Sequence, residues 1–248
     1  MTTELPSYAG SPLAVRDDLV AAHRKTWEHI ARPGTWWTGA ERVAIAAETR
    51  NASGCAPCAE RKESLSPYAI SGTHDSLGDL PEPVVDVIHR IVTDPGRLTD
   101  RLVRESAAAG IEDTHYVEAV AVVVFTVNVD TFARAIGAPL HPLPDALPGE
   151  PSRVRPTADQ ADGAWVPLIA ADVAEHDYPG LYSGGALTPY IQRALSLVPD
   201  ETRHFTEIIT AEYVPPLDLL TPLSTRAISR PQIELLAARV SAVNDCFY

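Results

Sequence analysis

The residues best suited to chemistry in this 248-residue sequence are its three cysteines, Cys55, Cys58 and Cys246. Cys55 and Cys58 are separated by Ala56 and Pro57, the spacing of a thiol–disulfide pair or of half a zinc site. Redox work needs the thiolate, and a thiol ionises more readily at a helix N-terminus, where free N–H groups and the helix dipole favour an anion. Asn51 to Gly54 breaks one helix, and Pro57 suits the first turn of the next, where its missing N–H costs nothing. Arg61 and Lys62 add positive charge nearby. With two residues between the sulfurs, a sulfenic acid on one can be resolved by the other.

Cys246 follows Asn244 and Asp245 and precedes Phe247 and Tyr248. A Cys-x-x-Cys pair begun there would have its second sulfur at position 249. The expectation is a shortened form of a longer protein, with Glu234, twelve residues before Cys246, as the carboxylate that takes the thiol proton. The eight histidines are scattered without a zinc-finger spacing, so no metal and no other cofactor is expected. His74, followed by Asp75, is the one histidine to test as a proton relay.

These side chains must be held by helices. Leu19, Ala22, His23, Trp27 and Ile30 follow helical spacing from Asp17 to about Ala31, ended by Pro33-Gly34. Thr38 and Glu41 form a capping-box pattern for a second helix, and Cys55 to Lys62 opens a third. Helical patterns follow over Pro83 to Val92, Leu98 to Ala108, and His115 to Ile136, where Gly137 and Pro139 stop the chain. Trp27, Trp36 and Trp37 are expected to pack the N-terminal helix on a core built around Val117 to Val129. Further helices are expected over Tyr190 to Leu197, Thr202 to Tyr213, and from Arg230 onward. Strand signals are scarce, so the fold class is all-α.

The expected organisation is a tail over 1–16, a helical unit over 17–137, a Pro-rich linker over 138–163 and the N-terminal part of a second unit over 164–248. Thr38 to Cys58 and Ser229 to Cys246 share one plan, a helix followed by a short break and a cysteine. This suggests two copies of one unit, the second cut short. A formal charge of −13 argues against nucleic-acid binding. No secretory signal and no run of eighteen apolar residues is apparent, so a cytoplasmic protein that does not span a membrane is expected.

The segment Ser229 to Tyr248 resembles the signature helix of the alkylhydroperoxidase D and carboxymuconolactone decarboxylase-like superfamily. That signature reads Glu, eleven residues, Cys, two residues, Cys, three residues, His. Glu234 and Cys246 match its first two members; the others would fall at 249 and 253. Trp37 to Glu48 with Cys55 and Cys58, together with Glu118 to Gly137, looks like an earlier, divergent copy, with Lys62 at the histidine position and Val43 twelve residues before Cys55. Glu41 and Glu48 are its nearby carboxylates. More narrowly, Trp36 to Glu48, Leu65 to Ala69, His89 to Pro95 and Ala164 to Pro167 resemble the bacterial alkylhydroperoxidase-related (seleno)proteins. In that group the second member of the terminal pair can be selenocysteine, whose codon a conventional gene reading takes as a stop.

The resemblance implies an alkylhydroperoxidase-like helical bundle, usually a homo-oligomer. It implies a thiol- or selenol-dependent peroxidase or disulfide oxidoreductase, with a peroxide or disulfide substrate and a thiol electron-donor protein as partner. Cys55, Cys58, Cys246 and Glu234 are its candidate catalytic residues. Two alternatives stand beside it. One is a non-catalytic helical binding or scaffold protein with buried cysteines. The other is a cofactor-free lyase or decarboxylase using Glu118 or Glu41 as base.

Overall fold

The computed structural model describes residues 5–156, 163–182, 188–214, 226–244 and Cys246. Among the described residues there are ten α-helices, one 3₁₀ turn and no β-strand, so the chain is all-α. The helices are α1 (Asp17–Ala31), α2 (Gly39–Ala52), α3 (Ala56–Glu63), α4 (Glu82–Thr93), α5 (Asp100–Ala108), α6 (Asp113–Ala135), α7 (Ala171–Asp177), α8 (Tyr190–Arg193), α9 (Pro199–Glu212) and α10 (Arg230–Val243).

Local chemistry sets their ends. The Thr38 hydroxyl accepts from the Glu41 N–H while Glu41 accepts from the Thr38 N–H, the reciprocal box that starts α2. The same device recurs at α10, where Ser229 pairs with Gln232. At the end of α6, Gly137 turns left-handed at φ 69°; its N–H donates to Arg134 O and that of Ala138 to Ala133 O. A residue without a Cβ makes this closing turn inexpensive. Pro139 then follows, as a stop requires. α7 was not expected: seven residues are too few to display a helical period.

Helix α6 is the centre. Val117, Ala121, Val122, Phe125 and Val129 are buried against α2 and α4, while α1 and α9 pack beside it. It is long and apolar enough to cross a membrane by length and composition, and most of it is covered by other helices of the chain. Two of its acids pair with α2: Glu118 with Arg42, and Asp130 with Arg50 at 2.7 Å. Trp27 and Trp37 are buried in the same core, as the sequence led one to expect.

Segments that lack helix are nonetheless held. Tyr8, in the stretch expected as a tail, is buried; its hydroxyl lies 2.7 Å from His23 Nδ1, and its ring meets Phe132 and His141 edge-on. In the Pro-rich stretch, Pro142 O accepts from the Trp27 indole, Leu147 N–H donates to Ala31 O and Arg153 N–H to Thr35 O. Positions 157–162 of that stretch lie outside the described residues. Leu195, Leu197, Val198 and Ile208, from the segment assigned to the second unit, belong to the same core cluster as α2, α4 and α6.

Candidate functional site

The first cysteine pair occupies the junction of α2, α3 and α4. Cys55 is the N-cap residue of α3, and Pro57 and Cys58 lie in its first turn. Cys55 supplies no side-chain cap; instead the Ala56 N–H donates to Asp75 Oδ2 at 2.8 Å, from the loop between α3 and α4. Asn51 binds that loop through Asp75 O. Both sulfurs are deeply buried, Cys55 at 2% and Cys58 at 1% exposure.

Two imidazoles converge on the Cys58 sulfur. His74 Nδ1 is 3.2 Å away and His89 Nδ1 3.4 Å, while His74 Nδ1 is also 3.8 Å from the Cys55 sulfur. Each imidazole is braced from behind by a carboxylate. His74 Nε2 lies 2.9 Å from Asp86 Oδ1 and His89 Nε2 2.8 Å from Glu48 Oε1. An ionised carboxylate only accepts, so both Nε2 atoms carry hydrogen and both Nδ1 atoms face the sulfurs. Glu48 is fixed further by Asn51 Nδ2, Ser76 Oγ and the Leu77 N–H. The guanidinium of Arg61 reaches to 4.0 Å from both the Cys58 sulfur and Asp86. Lys62 is exposed.

Burial pushes the Cys58 thiol up, but the hydrogen bonds to His74 and His89 outweigh it and hold it down at about 5. Burial disfavours the His74 cation, yet Asp86 and Cys58 raise it to about 10. His89 is raised to about 8 against the same burial cost, by Cys58 and Glu48. The site therefore favours a thiolate at Cys58 with an imidazolium at His74. Two sulfurs and a nitrogen from each histidine, all within 4.8 Å of one another, also constitute a donor set for a soft metal ion.

The four residues expected to act are not gathered in one place. Cys55 and Cys58 meet as anticipated. Cys246 is exposed, its N–H donating to Ser241 O beyond the end of α10. Glu234 lies near the opposite end of α10, accepting from the Tyr213 hydroxyl at 2.6 Å and paired with Arg230. The nine helical rises from Glu234 to Val243 alone span roughly 13 Å, so Glu234 does not touch Cys246. Phe247 and Tyr248 lie outside the described residues. His74 stands between the Cys58 sulfur and a carboxylate, though that carboxylate is Asp86; the neighbouring Asp75 caps α3 instead.

His89 and Asp86 were not singled out, and Glu48 was noted only as a nearby carboxylate. A helical signal was present for His89. Val85 and His89 are four apart on α4, so they share its buried face, and Asp86 lies one turn before His89 and Arg90. The carboxylates proposed for a lyase base are occupied. Glu41 completes the cap of α2. Glu118 is fully buried, accepting from Arg42 and from the Trp36 and Trp37 N–H groups. No protein-family model, curated protein or solved structure matches the chain, so nothing there bears on the resemblance to the alkylhydroperoxidases.

Proposed function

We propose that the chain is a dithiol redox protein of the alkylhydroperoxidase type, with Cys55 and Cys58 as its working pair. The supporting observation is the Cys58 sulfur set 3.2 and 3.4 Å from two imidazoles, each held by its own carboxylate. Cys58 thiolate attacks the terminal oxygen of a hydroperoxide. The O–O bond breaks, the sulfur becomes sulfenic acid, and the departing alkoxide or hydroxide takes a proton from the His74 imidazolium. Cys55 then attacks the sulfenic sulfur, water leaves, and the pair ends as a disulfide. An external dithiol returns two electrons by exchange. The 1–2% exposure of both sulfurs favours a substrate no larger than a small hydroperoxide.

The test is mass spectrometry of metal-free Cys246→Ser protein after stoichiometric hydrogen peroxide. A Cys55–Cys58 disulfide is expected, together with a trapped sulfenic acid at Cys58 when Cys55 is replaced by Ser. Two intact thiols would overturn the reading. The burial of both sulfurs favours a second reading, in which the pair only supports the α2–α3–α4 junction. In that case native thiols should resist both peroxide and a small alkylating reagent, and react only on unfolding.

A further inference from the structure

The four donor atoms at the junction have the size and shape of a coordination shell. Zinc bonds of about 2.3 Å to sulfur and about 2.0–2.1 Å to nitrogen, at tetrahedral angles, put the S···N corners about 3.6 Å apart. The three S···N separations here are 3.2, 3.4 and 3.8 Å. Adjusting them to one ion takes shifts of a few tenths of an ångström. All four residues are buried. Both imidazoles present Nδ1 to the sulfurs and donate Nε2–H to Asp86 and Glu48, the outer partners that fix a ligating tautomer.

We propose that Cys55, Cys58, His74 and His89 form a closed site for a soft divalent cation, zinc by its donor set. Two thiolates balance the ion's charge in a buried place. The donors include no carbonyl or carboxylate oxygen, which excludes a magnesium- or calcium-type site. Four protein ligands leave no open position, so the ion's role is to bind α3, the following loop and α4 together, with α2 joined through Glu48. This proposal stands without the peroxide reading but meets it at one point. A cation on both sulfurs blocks the disulfide, and oxidation releases it: the bound dithiolate, one hydrogen peroxide and two protons give the disulfide, the free ion and two waters.

The experiment is a cobalt(II) titration of the reduced, chelator-treated full chain carrying Cys246→Ser. Expected are one equivalent bound, the thiolate charge-transfer band with the intense visible bands of tetrahedral cobalt, and displacement by zinc. Glu48→Gln and Asp86→Asn, checked for folding by circular dichroism, should weaken binding about 10- to 100-fold. His89→Ala should remove the tetrahedral spectrum. Only the faint spectrum of hydrated cobalt with the parent chain, or equal binding by His74→Ala/His89→Ala, would overturn the proposal. Tetrahedral cobalt with a peroxide-inert apo-dithiol would sink the redox reading and leave the site intact; a disulfide without cobalt binding would do the reverse.

Discussion

Cys58 differs from Cys55 in what its sulfur touches. It faces two imidazoles at 3.2 and 3.4 Å and the edge of Arg61, whereas the Cys55 sulfur stands 3.8 Å from His74 Nδ1. In reduced, metal-free protein, alkylation should therefore modify Cys58 first. Its rate should hold down to about pH 5, where the thiolate is finally protonated, rather than fading through the range of an ordinary thiol. His74→Gln removes the cation beside the sulfur and should move this fall toward neutral pH. Peptide mapping of iodoacetamide adducts against pH would check both statements. Modification of Cys55 ahead of Cys58 would reverse the assignment of attacking and resolving sulfur.

At the scale of elements, the site depends on how α2 presents Glu48. The Thr38 cap sits at the opposite end of that helix, and Thr38→Ala should cost about 1 kcal/mol, read as a lowered urea midpoint. Gly34→Ala should cost more. A Cβ there would overlap the Glu118 carboxylate and the Arg42 guanidinium, and forcing apart a fully buried ion pair costs about 3–5 kcal/mol. Denaturant unfolding of the two variants side by side would rank them. The helices carrying this architecture were legible because caps, prolines and glycines mark their ends: Thr38 with Glu41, Pro33-Gly34, and Gly137. Half of the site was legible too, through the Cys55–Cys58 spacing. In the other half, His74 was singled out as a relay candidate beside Asp75, but its place against the sulfurs was not readable, because it lies in a loop with no period and reaches them by tertiary packing alone. His89 was readable only from its place beside Val85 on α4. The terminal motif led elsewhere: spacing and the resemblance linked Glu234 to Cys246, whereas the helix from Glu234 to Val243 holds them apart.

The molecule as a whole carries a second polar cluster, and its pH response should be dominated there. At the cysteine junction, Cys58 is lowered while His74 and His89 are raised, so the pH effect of the sulfur is opposed by those of the two imidazoles. Between α1, α2, α6 and α9 no such cancellation holds for His204. Burial, with His29, Lys25 and Arg42 nearby, pushes His204 down to about 3, although Glu201 pulls the other way. Its ring stacks on His29 at 4.2 Å, and its Nε2 lies 3.0 Å from Thr26 Oγ1. The folded state thus keeps His204 neutral while the unfolded chain protonates it below about 6.5. The unfolded state binds more protons, so stability rises with pH and is lost as pH falls through this window. Between pH 7 and pH 5 this one group should remove about 2 kcal/mol. Further down, Glu201 acts in the same direction. Burial raises its carboxyl, but Arg42 and His29 hold it well below the usual range, so stability is lost again as acid protonates it. Glu118 opposes in part, since burial raises it, and the neighbouring Glu201 adds to this against the pull of Arg42. Urea midpoints at pH 7 and pH 5 should separate clearly for the parent chain. In His204→Gln, which retains a donor for Thr26 without the titration, the gap should shrink by about 2 kcal/mol; an unchanged gap would place the acid-sensitive group elsewhere.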